Sequence, residues 1–313
     1  MAKFHENTQS SAYGVRYVRL HFQCRVTEHC TLPQNKAAAL RGGMGEMLLA
    51  AHCMFPAEKK CEGCSFENEC LVRRIMYAKF DIKPKFVTTG ESVSYVINCE
   101  DYRTSFAEGD TFNFTMTLFG KGIVYFTPIL MAFYSLGQAG LGREHAHFVI
   151  ERVTNSTGET LVEGSNVYRE NYKVLRLGDY VSYRLRRSTG NGLHFHTPLT
   201  IKRQGEELTE FDAEAIVNAA ARRLYMLDCF EGIEAEPIMI PREELPRILM
   251  QKAIPTKVRR YSSTHDSRIT LSGIRGDLVL DGMSEETRKL MLAAEVMHVG
   301  RNTSFGFGRV TVI

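Results

Sequence analysis

Four cysteines lie close enough together in the sequence to bind one metal ion. In the segment CMFPAEKKCEGCSFENEC, Cys61 and Cys64 form a Cys-x2-Cys pair around Gly63, and Cys53 and Cys70 lie on either side. Such a pair presents two thiolates to one ion, and two more complete the ligands of structural zinc or of an iron–sulfur cluster. We therefore predict a structural metal site, with zinc as the default. Because the outer spacings are irregular, unliganded thiols in a loop are the alternative.

A glycine-rich cationic loop lies near the end of the sequence, in HVGRNTSFGFGRV at positions 298–310. Glycine lets the backbone approach an anion and direct N–H groups at it. A helical pattern precedes this loop and a β-branched strand follows it, which is the reverse of the dinucleotide-binding and P-loop motifs. Those nucleotide sites are therefore excluded. The loop is either an anion site or a tight turn from helix to strand.

Basic residues are concentrated in two further segments. Residues 168–203 hold eight Lys and Arg against two Asp and Glu, and residues 252–275 hold six against one, although the net charge is only +3. The stretch between them, 204–247, is rich in acidic residues. Such segregation is typical of a surface that binds an anion, and a solvated face that is basic by chance is the alternative.

Length and composition indicate a folded protein of two domains. The chain has 313 residues, of which 44% are hydrophobic and 24% charged, and a single core rarely grows so large. Eight cysteines, with no apolar signal segment among the first residues, favour a reducing cytoplasm. The most apolar run, GIVYFTPILMAFYSLG, contains Pro128 and is shorter than the roughly 20 residues of a membrane span. We interpret it as a strand end and a buried helix.

The two halves of the chain repeat one pattern. An apolar helical stretch leads into Gly-apolar-Gly-Arg and then into a strand, once at 140–143 and again at 306–309. Each half reads as β-α-β-β-α-β, with Asn35 and Asp212 near the starts of the first helices. We predict an α+β fold of two tandem ferredoxin-like (RRM-like) domains, with a cysteine-rich insertion at 53–70. The first domain is assigned to 1–154, a linker to 155–180 and the second domain to 181–313.

Six motifs in this order resemble the CRISPR precursor-RNA processing endoribonucleases of the RAMP superfamily. They extend over nearly the whole chain and are ALRGGMG (39–45), the cysteine insertion, GLGREHAHF (140–148), TPLTIKRQG (197–205), RRYSSTHDSRI (259–269) and HVGRNTSFGFGR (298–309). The resemblance implies tandem ferredoxin-like domains, a C-terminal glycine loop and CRISPR repeat RNA as the partner. It also implies endoribonuclease activity, although this sequence has no unambiguous catalytic set.

RNA binding is predicted for the basic residues and the glycine loop together. Cations attract phosphates, and loop N–H groups and hydroxyls position the backbone. The predicted RNA-binding residues are Lys202, Arg203, Arg259, Arg260, Gly300, Arg301, Gly306, Gly308 and Arg309.

Catalysis is predicted to need no metal or other cofactor. In RNA cleavage of this class the ribose 2′-hydroxyl attacks the adjacent phosphate, which leaves a 2′,3′-cyclic phosphate, and histidine is the natural acid and base near neutral pH. The candidates are His52, where family members often place a catalytic histidine, His265 in a basic segment, and His298 before the glycine loop. His29, or a site built from Lys and Tyr, is the fallback.

Two functions remain open at this stage. The first is an endoribonuclease that cuts repeat RNA to produce mature guide RNA. The alternative is a non-catalytic RNA-binding subunit of a CRISPR effector complex, since one fold serves several functions. In that case other subunits of the complex would be partners. No membrane partner is expected.

Overall fold

The computed structural model describes residues 13–55, 61, 63–77, 80, 82–85, 93–262 and 267–313, without the side chains of residues 261, 262 and 268. The first half of the chain contains β1 (Arg16–Val26), β2 (Cys30–Thr31), α1 (Lys36–His52), α2 (Leu71–Met76), β3 (Tyr95–Asn98), β4 (Ser105–Phe106), β5 (Thr111–Phe119), α3 (Phe126–Ala139), β6 (Phe148–Asn155), β7 (Thr160–Glu163), β8 (Asn166–Val167) and β9 (Leu175–Arg176). The second half contains α4 (Leu177–Leu185), β10 (Gly192–Leu199), β11 (Lys202–Arg203), β12 (Glu206–Glu207), α5 (Ala213–Glu231), β13 (Arg247–Ser262), β14 (Ser267–Asp281), α6 (Glu285–Met297) and β15 (Val310–Val312).

Both halves form ferredoxin-like units, as predicted. The first sheet has the order β3-β5-β1-β6, extended by β7 and β8, and the second has the order β13-β14-β10-β15. If the four strands of each unit are numbered along the chain, both orders read 2-3-1-4. All of these neighbouring strands are antiparallel. The fold class predicted from the sequence is therefore confirmed.

The first helix of each unit begins at the cap that the sequence indicates. The side chain of Asn35 accepts a hydrogen bond from the backbone N–H of Ala38 at 3.1 Å. Asp212 accepts one from the N–H of Ala215 at 2.9 Å. These side chains satisfy N–H groups that the first turn of a helix leaves without a partner. Both starts are thus set locally, before any tertiary contact.

The apolar run near the middle of the first unit is a core helix. By length and composition alone, the helical stretch Gly120–Ala139 could cross a membrane. Within it, the fully buried Phe133 packs against Phe22 and Phe114 of the first sheet, with ring centroids 5.4 and 4.9 Å apart. The sheet thus covers the apolar face of this helix, which accounts for its composition.

The segment predicted as a linker, 155–180, takes part in the fold. Strands β7 and β8 extend the first sheet beyond β6, and β9 pairs with β1 through Arg16 and Tyr17. Helix α4 begins one residue after β9 and packs against α6 of the second unit. Polar residues in this segment are compatible with an edge strand, because sheet pairing satisfies the backbone groups that water would satisfy in a loop.

Buried polar contacts join the two units. Arg223 of α5 is buried and donates from Nη1 to the carbonyl of Val93 at 2.9 Å and from Nε to that of Met297 at 3.3 Å. Arg16 of β1 donates to Glu231 at the end of α5. Backbone and side chains of one unit therefore complete hydrogen bonds of the other.

We predict that Glu295→Ala destabilises the protein by about 3 kcal/mol, because removing one partner leaves a charged group without compensation. The Glu295 side chain is 6% exposed and pairs with Arg184 at 2.8 Å, and it also accepts from Tyr180 and from the N–H of Val312. Urea unfolding followed by circular dichroism measures the change.

The matched control is Glu163→Ala, whose pair with Arg152 is about half exposed. An exposed ion pair contributes only about 0–1 kcal/mol. Equal losses in the two variants would contradict the assignment of Glu295 as a buried anchor.

Candidate nucleic-acid interface

The glycine-rich loop is a tight turn held between the two units. Gly306 and Gly308 are buried and have φ angles of 83° and 69°. A Cβ atom on Gly308 would lie 1.7 Å from the carbonyl oxygen of Val299, and one on Gly306 would lie 2.9 Å from that of Ile97 in β3. Glycine is thus required for both backbone conformation and space.

Many N–H groups of this loop are already used inside the protein. The N–H of Arg301 donates to the carbonyl of Thr200, and that of Gly308 donates to the carbonyl of Pro198, both at 2.9 Å. The N–H groups of Phe305 and Gly306 close turns onto Asn302 and Thr303. The loop therefore does not form the phosphate nest suggested by its glycines. Gly306 and Gly308, predicted to touch RNA, are buried packing positions, whereas Gly300 is partly exposed.

The turn places one aromatic ring where the two units meet. The guanidinium of Arg41, from α1, lies 4.9 Å from the centroid of the Phe305 ring. That of Arg260, from β13, lies 4.6 Å from the same centroid. Cations stack favourably on aromatic faces, and arginine does so more often than lysine. We call these three residues the seam cluster, because each comes from a different element at the junction of the units.

Few groups inside the protein balance the charge of the two seam arginines or accept their hydrogen bonds. Their Nε atoms are buried and have no hydrogen-bond partner among the described residues. Arg41 donates from Nη2 to the carbonyl of Met76 at 3.3 Å and also hydrogen-bonds the Tyr95 side chain, and neither guanidinium pairs with a carboxylate in the described part of the chain. Burial lowers the pKa of Arg260, and the charge of Arg41 lowers it further. The seam therefore concentrates positive charge.

The other predicted RNA-binding residues lie at the surface with different partners. Lys202, Arg259 and Arg301 are exposed. Arg203 forms ion pairs with Asp212 and Glu214. Arg309 pairs with Glu100 at the end of β3, across the junction of the units. RNA phosphates would have to compete with these carboxylates for Arg203 and Arg309. At Lys202 and Arg259 they would meet less competition from carboxylates of the described residues.

Two of the three predicted catalytic histidines, His52 and His298, lie in the described part of the chain and have different surroundings. His52 is exposed at the last residue of α1, eleven residues from Arg41, which corresponds to about 16 Å along a helix. His298 is 5% exposed, and its Nδ1 lies 3.0 Å from the carbonyl oxygen of Phe307. Burial lowers its pKa to about 3, so it is neutral near pH 7. His265 lies outside the described residues.

A polar cleft of about 510 Å³ lies between β1, β3 and β5 of the first unit and α4, α6 and β15 of the second. His21 lines the first side, with Nδ1 3.1 Å from the hydroxyl of Thr115. His298 and Thr311 line the second side, and Nε2 of His196 lies 2.8 Å from the hydroxyl of Thr311. Burial lowers the pKa of the His21 and His196 rings, and neighbouring arginines add to the effect.

The four cysteines do not form the expected metal site in this structure. Cys53 ends α1, Cys70 precedes α2, and 63–70 forms turns between them. Burial raises the pKa of the Cys61 thiol, and Cys70 and Cys53 are near enough to contribute. In the described part of the chain, however, no three His, Cys, Asp or Glu side chains are arranged to hold a metal ion. The structure thus brings Cys61 near Cys53 and Cys70 without arranging a ligand set around one point.

Arg41 and Phe305 are the residues of this surface to which sequence reasoning gave no role. Both lie inside segments singled out from the sequence, ALRGGMG and HVGRNTSFGFGR. Spacing gave no reason to connect them with Arg260, because the three are far apart in the chain. The feature of the sequence that could have identified Arg41 is its place among small residues in a helix, where a long cationic side chain has room to reach a neighbouring element.

Two family models match the chain, one in each half. Residues 15–179 match a model described as AF_1859_N, N-terminal domain. Residues 193–310 match the CRISPR-associated endoribonuclease Cas6. The second half of this chain therefore contains a domain of the Cas6 endoribonuclease family. No curated protein matches the chain.

Solved Cas6 structures share the fold. A partial Cas6-RT-Cas1–Cas2 complex contains a chain with a TM-score of 0.53 and 11% identity, covering 96% of this chain and 46% of that one. A Cas6 product complex has a TM-score of 0.50 and 15% identity, covering 95% and 99%. At such identities the likeness is one of architecture, so the residues that act on RNA in this protein must be argued from its own structure.

We predict that His298 makes this protein less stable as the pH falls. A histidine whose folded pKa is lowered stabilises the fold above its unfolded pKa and destabilises it below that value. With a folded pKa of about 3 against about 6.5 unfolded, lowering the pH from 7 to 5 costs about 2 kcal/mol at this site. Urea unfolding at both pH values measures the loss.

His298→Asn is the matched variant, because asparagine tolerates the positive φ of 58° at this position. Its stability should change less between pH 7 and 5 than that of the parent, by the same amount. An identical pH dependence in parent and variant would show that His298 is not buried in its neutral form.

Proposed function

We propose that this protein cuts CRISPR repeat RNA at the junction of its two ferredoxin-like units, without a catalytic metal, and leaves a 2′,3′-cyclic phosphate. The observation that carries the proposal is the seam cluster, where Arg41 and Arg260 concentrate charge beside the glycine-rich turn. Fixed cations of this kind stabilise charge that develops on a reacting phosphate. Lys202 and Arg259 add exposed positive charge for the RNA backbone.

The bond changes of the proposed reaction are those of an internal transfer. The ribose 2′-oxygen forms a bond to phosphorus while the bond from phosphorus to the 5′-oxygen breaks. A base removes the 2′-hydroxyl proton, and an acid supplies a proton to the departing 5′-oxygen. Arginine side chains can supply the positive charge for which other nucleases use metal ions.

His265 and His52 are the remaining candidates for acid and base. His265 lies five residues beyond Arg260, on the connection between β13 and β14, and is outside the described residues. His52 is exposed but at the far end of α1 from Arg41. We no longer assign this role to His298, because its ring is buried and bonded to the backbone.

Cleavage of a labelled repeat RNA in the presence of EDTA tests the proposal. We expect a cut product whose 3′ end is a cyclic phosphate, which resists phosphatase until acid opens the ring. His265→Ala or His52→Ala should slow cleavage by about 10²–10⁴-fold while RNA binding is retained. A shifted but uncut RNA band would identify the alternative, a non-catalytic RNA-binding subunit. Full activity in both variants would move the assignment to other residues.

The structural metal at Cys53, Cys61, Cys64 and Cys70 is a separate proposal that rests on the spacing of the cysteines. Elemental analysis should find about one zinc, or the iron of one cluster, per chain. Cys61→Ser with Cys64→Ser should abolish this content and lower stability. The parent free of zinc and iron, with the double variant equally stable, would contradict the proposal.

A further inference from the structure

We propose that Arg41 and Arg260 form a phosphate clamp that holds the scissile phosphodiester of the RNA between the two ferredoxin-like units. The inference rests on the proposed function and assigns its central binding step. Arg41 comes from α1 of the first unit and Arg260 from β13 of the second. Both guanidiniums lie within 4.9 Å of the centroid of one ring, Phe305. Both charges therefore lie beside one ring, and Arg41 is close enough for its charge to act on Arg260.

Two adjacent guanidiniums repel each other, so their position calls for an explanation. Each has a buried Nε atom with no partner in the described part of the chain, and a buried donor without a partner is unfavourable. The stack on Phe305 offsets part of this cost. An anion between the two groups would remove the repulsion and provide acceptors for the remaining donors. Arginine suits a phosphate because its planar fork matches two phosphate oxygens.

The seam differs from the other basic positions in its surroundings. Lys202 and Arg259 are exposed, where water screens their charge. Arg309 already has a carboxylate partner in Glu100. Arg41 and Arg260 are partly buried, and charge stabilisation is stronger away from water. They are therefore suited to the phosphate on which charge develops, while the exposed residues are suited to general attraction of the RNA.

Arg103 offers a matched control. Its guanidinium lies 4.6 Å from the Phe106 centroid, which equals the spacing of Arg260 and Phe305. Arg103 pairs with Asp101 at 2.6 Å, so its charge is compensated inside the protein. Removing Arg103 therefore removes a similar arginine–aromatic stack without removing a group available to an anion.

The experiment compares single-turnover cleavage of repeat RNA by the parent, Arg41→Ala, Arg260→Ala and Arg103→Ala. We expect the two seam variants to lose about 10²-fold or more in rate, and Arg103→Ala to stay within about threefold of the parent. Affinity is measured over a salt series with RNA carrying a 2′-deoxy group at the cleavage position, which cannot react. Loss of one phosphate contact should lower the salt slope by about 0.7. Cleavage within about threefold of the parent in both seam variants would overturn the clamp.

A sulfur substitution separates direct contact from a structural role. One non-bridging oxygen of the scissile phosphate is replaced by sulfur. If Arg41 touches this phosphate, the replacement should slow cleavage by Arg41→Ala less than cleavage by the parent, because the effects of changing two groups in contact are not additive. Purely multiplicative effects of the two changes, for Arg41 and Arg260 alike, would argue against contact. If an alanine variant does not fold, the lysine variant replaces it. It keeps the charge but loses the fork, so it should cut more slowly than the parent.

The outcomes also distinguish the clamp from the proposed function. A parent protein that binds repeat RNA without cutting it ends the cleavage proposal. The clamp is then judged by binding to the 2′-deoxy RNA, where an unchanged salt slope in both seam variants would overturn it.

Discussion

The tight packing of the glycine-rich turn is the constraint on which the rest of the junction depends. At Gly308 a side-chain carbon would overlap the carbonyl of Val299, and Gly306 lies against the backbone of β3. The turn can therefore approach the first unit closely enough to put Phe305 beside α1 and β13. Its backbone is satisfied in part by carbonyls of the second unit, so the glycines serve the interface between the units.

The charge at the junction follows from this geometry. Arginine can share an aromatic ring with another arginine because part of the desolvation cost is offset by stacking. In most of the other arginine contacts described, carboxylates balance the charge, as Glu295 does for Arg184 and Asp101 does for Arg103. The protein thus combines compensated arginines that stabilise the fold with a partly buried pair whose compensation would come from a bound anion.

The duplicated architecture explains why such a pair can exist at all. Neither ferredoxin-like unit contains both arginines, and the ring that both contact belongs to a turn that touches both units. The buried bond from Arg223 of the second unit to the carbonyl of Val93 in the first helps to hold the units together. A substrate bound at the seam would therefore add contacts to both halves, and substrate binding and domain arrangement are expected to be coupled.

Local features of the sequence determined the class of fold. Strand alternation, helical periodicity and the caps Asn35 and Asp212 act over a few residues. The repeated Gly-apolar-Gly-Arg segments indicated that the unit is duplicated. The same patterns did not show that 160–176 joins the first sheet, because polar residues suit an edge strand as well as a loop. They also identified the basic segments that contain Arg260.

The tertiary structure decided which of those residues share a site. The spacing of Arg41, Arg260 and Phe305 in the sequence gave no sign that they are neighbours, because packing between distant elements brings them together. Burial lowers the pKa of His298 to about 3, and packing against neighbouring backbone places Gly306 and Gly308 inside the turn. Residue type and order limit the chemistry that a chain can perform. Desolvation and partner choice, which depend on the whole fold, determine which side chains are available to perform it.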